Sequence, residues 1–210
     1  MRILLSFLFS CLTLVAGLEA GQPPQAEPGP RTEEQALARV LVAYHSRTGN
    51  TESMAKAVAE GVGAVDGVVV TIKAVGEVSE QDILQADGIL LGTPVHWGSL
   101  AVPAKDFLDR VGEVLDNQTH GEGRTAGAFC TGGAVSSGKE LARLAILAAF
   151  MNLRFVVVGG LAADGFGNLG AQATTGPEDP GISATELDEA RRSGERFARI
   201  TKQYKEGRSH

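Results

Sequence analysis

The chain has 210 residues, 43% hydrophobic and 21% charged, which suffices for one well-buried core and is short for two. A net charge of −6 and a pI near 5.3, with no dense Lys/Arg run, exclude a basic nucleic-acid-binding surface, so nucleic acid is not expected as a partner. Past the first twenty residues Cys130 is the sole cysteine, so that region forms no intrachain disulfide and its stability must come from packing.

Met1-Arg2 precede an apolar run from Ile3 to about Leu18, followed by polar residues. That order is the order of a secretory signal peptide, expected over residues 1–20, with Ala20 or Gly17 at the cut. Export to the periplasm or the outside follows. The run is shorter than the roughly 20 apolar residues of a membrane span; an uncleaved anchor, or a cytoplasmic protein with a start codon chosen too far upstream, are the alternatives. Gly21 to Glu34 holds four prolines and no large apolar residue, so residues 21–37 read as a flexible or polyproline-like linker. The folded domain is expected over 38–204 and a polar tail over 205–210.

From Val40 onward short apolar runs alternate with amphipathic segments. The strands predicted are Val40–Tyr44, Val68–Ile72, Gly88–Leu91, Ala126–Cys130 and Phe155–Val158. Apolar residues at three- and four-residue spacing predict helices over Ser53–Val62, Ser79–Gln85, Ala104–Val111, Lys139–Met151 and Thr185–Lys202. Five strands in strict β-α order fit an α/β fold, a three-layer doubly wound five-stranded parallel sheet of order 2-1-3-4-5. Ligands bind such sheets beyond the carboxyl ends of the strands, where the loops after strands one, three and four converge.

The first of those loops reads Ser46-Arg47-Thr48-Gly49-Asn50-Thr51. Three hydroxyls, a glycine that permits close backbone approach, and the free N–H groups of a helix start make a phosphate site. The loop lacks the Gly-Lys-Ser/Thr ending of a nucleoside triphosphate loop and the G-x-G-x-x-G of dinucleotide folds, so a monophosphate fits best. An ordinary helix with Thr51 as its N-cap would explain one hydroxyl but not three.

The pattern S-x-T-G-N-T after a first strand resembles the FMN-phosphate loop of the flavodoxin-like superfamily. Ala86–Ser99, Phe107-Leu108-Asp109, the Gly-rich stretch Gly165–Gly176 and the segments Glu186–Arg191 and Gly194-Glu195 are similar to its branch of tryptophan-repressor-binding-like NAD(P)H:quinone oxidoreductases. The resemblance covers roughly Arg39 to Thr201. It implies FMN as cofactor, NAD(P)H as co-substrate and a quinone-like small molecule as acceptor, with no metal. It places Thr93, Pro94, Val95, His96 and Trp97 along the flavin, Trp97 as the aromatic neighbour of the ring; core packing is the alternative for Trp97. His96 is either a hydrogen-bond donor to a substrate carbonyl, and so a candidate catalytic residue, or an exposed loop histidine. The small residues Thr131, Gly132, Gly133, Ala134, Val135 and Ser136 leave backbone N–H groups free for the flavin carbonyls and ribityl chain, or form a flexible connection. Cys130 reads as a small buried hydrophobe.

The resemblance also implies a homodimer or homotetramer. The only tyrosines are Tyr44 and Tyr204, so the loop after strand four lacks the aromatic with which one-electron flavodoxins cover the ring. One flavin face is then open to a nicotinamide and afterwards to a quinone. A flavodoxin-type electron carrier and a partner-binding scaffold without redox activity are the alternatives. The chain departs from the branch around the substrate space: Glu113–Asp116 stands where a tryptophan is common, and Phe150-Met151-Asn152-Leu153 where His-His-Gly-Met is common.

Overall fold

The computed structural model describes residues 37–115, 119–160 and 169–208. The expected signal segment, the linker up to residue 36, Asp116 and part of the Gly-rich stretch lie outside the described residues.

Strand β1 (Ala38–Tyr44) divides its side chains between two cores: Val40 and Val42 enter one, Leu41 and Ala43 the other. This is the period of two that a pleated strand imposes. Burial on both faces explains why the segment reads as an unbroken apolar run. After it come β2 (Val68–Ala74), β3 (Gly88–His96), β4 (Ser99–Leu100), β5 (Thr125–Gly132), β6 (Val156–Val157) and β7 (Gln172–Thr174). The parallel order is β2-β1-β3-β5-β6, the doubly wound arrangement expected. In register, Val40 lies between Val70 and Gly88, and Gly88 in turn meets Thr125.

The helices are α1 (Asn50–Gly63), α2 (Glu80–Gln85), α3 (Val102–Val114), α4 (Lys139–Asn152) and α5 (Ala184–Gly207). Met54, Val58 and Val62 of α1 and Ala190, Phe197 and Ala198 of α5 pack on Val42, Leu90 and Phe129. On the opposite face Ile83, Phe107, Val111, Ile146 and Phe150 pack on Leu41, Ile89 and Leu91. Helices α1 and α5 cross backbone to backbone: a Cβ on Gly61 would stand 1.9 Å from the Arg191 carbonyl oxygen, and one on Gly194 2.1 Å from that of Val58. No larger residue fits at that crossing.

Three elements correct the sequence reading. The fifth strand, expected over Phe155–Val158, is divided: β6 pairs with Thr125 and Ala126, while β7 pairs with Cys130 to Gly132 on the same edge of β5. Phe155 is spent on the core instead, its ring 5.0 Å from that of Phe150. Helix α1 starts at Asn50, not Ser53, because Gly49 at φ 92° turns the chain into it. The tail expected from residue 205 is partly the last turn of α5, held by Lys205, which donates to the Leu37 carbonyl at 2.8 Å and pairs with Asp87 at 2.8 Å.

Candidate functional site

The segments leaving the carboxyl ends of β1, β3, β5 and β7 enclose a cleft of about 360 Å3, within the range of roughly 300–1,000 Å3 usual for small-molecule sites. The loop after β1 contributes Arg47, Thr48, Asn50 and Thr51. Gly49 caps α1 in the left-handed region, with no side chain bonded to the first-turn amides. A left-handed cap favours glycine, since a Cβ there costs about 1–2 kcal/mol. The donors of the first turn are therefore left for an anion, together with the positive end of the helix dipole.

The three loop hydroxyls divide their work. Ser46 Oγ accepts from the Gly49 amide at 3.1 Å and so shapes the turn. The Thr51 hydroxyl turns inward to that of Thr131 at 2.8 Å, joining the first loop to the third beneath the cleft. Thr51 is thus a buried strut and not the N-cap. The Thr48 hydroxyl accepts from Asn50 Nδ2 at 3.0 Å, and the same amide donates to Asp179 Oδ1 at 2.6 Å.

From β3 the cleft receives Pro94, Val95 and His96. Thr93 lies behind them, fully buried, its hydroxyl donating to the Pro94 carbonyl and accepting from the Ala101 amide, both at 3.0 Å. That pair of bonds pins the β3–β4 hairpin. Trp97 occupies the hairpin tip at φ 52° beside Gly98 at φ 79°, the two positive values a tight two-residue turn requires. Its side chain projects fully into solvent, outside the lining of the cleft and outside any core. His96 lies 6.2 Å edge-to-face from His45. Burial first, and the neighbouring His96 second, lower the pKa of His45, which favours its neutral form.

Thr131, Gly132 and Gly133 form the part contributed by β5, while Ala134, Val135 and Ser136 stand exposed beyond the lining. Cys130, just beneath, is buried, and burial pushes its thiol up to about 12. A thiol of that kind is no nucleophile near neutral pH. The sequence reading did not identify Thr175, Gly176 and Asp179, which close the cleft from the segment between β7 and α5. The Asp179-Pro180-Gly181 turn was the one legible trace, and Asp179 takes the left-handed conformation, φ 48°.

A monophosphate with an attached planar ring suits these residues on two counts. The amino end of α1 carries no side-chain cap. The Ser137 hydroxyl, close against Gly132, is buried with no hydrogen-bond partner, so polar capacity is left beside the third loop.

The profile described as NADPH-dependent FMN reductase matches residues 37–168. The chain belongs to that family. A relative named flavodoxin from Aquifex aeolicus is 39% identical over 123 residues, covering 59% of this chain; the match spans 65% of that protein's length. An NAD(P)H dehydrogenase (quinone) from Solidesulfovibrio magneticus is 26% identical over 78% of this chain and 97% of its own. Among solved structures, a flavodoxin described as WrbA-like from Agrobacterium tumefaciens superposes with a TM-score of 0.66 at 25% identity, covering 80% of this chain and 99% of that one. Membership of the FMN reductase family agrees with the fold and with a first loop that lacks a triphosphate signature.

Proposed function

We propose that this member of the FMN reductase family is an FMN-dependent oxidoreductase that passes electrons from NAD(P)H to quinones or similar small acceptors. The observation that carries the reading is the uncapped amino end of α1 opening into a cleft shared with the loops after β3 and β5. Bound FMN supplies the two-electron relay between nicotinamide and acceptor. Residues Ser46–Thr51 hold its phosphate, with Arg47 as the cationic side chain lining the cleft. Pro94–His96 and Thr131–Gly133 flank the ring, held in place by the Thr93 and Thr51 bonds behind them. Two protons accompany the two electrons that convert a quinone to a hydroquinone. One arrives as part of the hydride drawn from the nicotinamide, the other comes from solvent, and His96 stands in the cleft wall where it can hand that second proton over. Exposed Trp97 offers an aromatic face to a nicotinamide or quinone entering the cleft mouth.

Steady-state oxidation of NADH and NADPH by the FMN-loaded protein with a soluble quinone tests this reading. The expected result is turnover well above that of free FMN; none above that background overturns it. The flavodoxin relative supports a second reading, an electron carrier. Such a carrier would accept electrons from a partner protein and not from nicotinamide. A colourless protein that takes up no FMN would leave only a partner-binding scaffold. Assembly as a dimer or tetramer is part of the same proposal, and sedimentation velocity showing a monomer at every concentration overturns it. Export is likewise proposed, on the run Ile3–Leu18; an intact mass beginning near Gly21 is expected, and a retained Met1 refutes it.

A further inference from the structure

Beneath the cleft floor lies a cation that this functional reading does not use. Lys139 is the first residue of α4, yet only 2% of it is exposed. Its stem runs under Gly132: a Cβ there would stand 3.0 Å from Lys139 Cγ and 3.3 Å from Cδ. The ammonium donates to the Ala134 carbonyl at 3.0 Å and to the Thr174 hydroxyl. It therefore lies between the loop that floors the cleft and the strand that leads into its far wall.

One turn along α4, Arg143 is 1% exposed and donates to the carbonyls of Lys139 and Gly170 and to Gln172 Oε1. Its charged partner among the described residues is Glu140, at 3.6 Å. Both groups that receive the Lys139 ammonium are neutral.

Folding alone disfavours this arrangement twice. Burying an ammonium on neutral partners forfeits its hydration. A cation at the amino end of a helix also opposes the helix dipole, and Gly138 brings no side-chain cap to offset it. The result is an ammonium fixed between the Ala134 carbonyl and Thr174, its stem against Gly132, beside the uncapped amino end of α4.

We propose that Lys139 sets the reduction potential of FMN held in the cleft, raising it by favouring the reduced ring over the oxidised one. The proposal rests on the reading that the cleft holds FMN. The oxidised ring system is neutral, whereas uptake of two electrons and one proton leaves one net negative charge. A cation fixed in a poorly hydrated floor stabilises that charge and has no counterpart to stabilise in the oxidised form. Arg143 holds the Lys139 carbonyl and the Gly170 and Gln172 groups, so it acts on the site only by positioning.

The test is titration of oxidised and of dithionite-reduced FMN against the wild-type chain and against Lys139→Met, Lys139→Gln and Lys139→Arg. The Met variant should lose at least about tenfold more affinity for reduced than for oxidised FMN, equivalent to a fall of about 30 mV in the two-electron midpoint potential. Lys139→Gln keeps a hydrogen-bond donor without the charge; it should match Met, and it replaces Met if that variant fails to fold. Lys139→Arg should restore the wild-type ratio. Equal losses for the two forms, or no loss, overturn the tuning role while FMN binding stands. A wild-type chain that binds neither form overturns the functional reading and this proposal with it.

Discussion

The helices that follow β1, β3 and β5 begin differently from the two that follow β2 and β7. Helices α1, α3 and α4 start at Gly49, Ala101 and Gly138, none of which has a side chain bonded to the first turn. Helices α2 and α5 start at Ser79 and Ser183, each with a reciprocal capping box, to Asp82 and to Glu186. A cap of that kind is worth about 1 kcal/mol. Of the three uncapped ends, that of α1 opens into the cleft, where Asn50 and Thr51 line it. Helix α1 is anchored instead along its body, by the close crossing of Gly61 and Gly194 on α5.

That contrast can be broken most severely at the crossing. Gly194→Ala places a methyl group 2.1 Å from a backbone carbonyl that cannot rotate away; a loss of about 3 kcal/mol in urea unfolding is expected, with weaker FMN binding as α1 shifts. A loss below 1 kcal/mol would mean that the crossing does not anchor α1. Next comes Gly49→Ala, whose Cβ meets open space but whose φ of 92° is strained. Relief of about 1–2 kcal/mol of strain by reshaping the loop should weaken FMN binding about tenfold, as read by fluorescence titration. Ser183→Ala should do the reverse, costing about 1 kcal/mol of stability while leaving FMN affinity unchanged.

The smallest effect concerns acid. Hydrogen bonds from Lys73, and then from Ser79, hold the Asp82 carboxyl at about 2. Its pKa is depressed by folding, so its contribution is complete above about pH 4, the ordinary carboxylate range, and disappears as pH falls through about 2. The stability difference between wild type and Asp82→Asn should follow that course, and a difference independent of pH would assign the effect to packing.

The sheet order and the helices that cover it were legible because β1, β3 and β5 are buried on both faces and write their positions as apolar runs. The first loop was legible because three hydroxyls and a glycine follow such a run. Which hydroxyl does what was not: Thr51 pairs with Thr131, eighty residues away, and no local pattern records a partner at that distance. Trp97 could be named but not aimed, since the turn at Gly98 directs it. Lys139 marked only the start of the helix predicted over Lys139–Met151; its ammonium is held in part by Thr174 of β7, a three-residue strand too short to give periodicity. Asp179 was hidden for the same reason, because the return of the chain from β7 decides where it lands.

The pairing of Lys205 with the Leu37 carbonyl and with Asp87 brings the start of β1 and the end of α5 together at the amino ends of the strands, away from the carboxyl ends that form the cleft. A linker, carrier protein or electrode surface joined at either place would leave the cleft mouth facing outward. The same geometry suits a circular permutant in which residue 208 is spliced to residue 37, since the new joint would cross no element that touches the cleft.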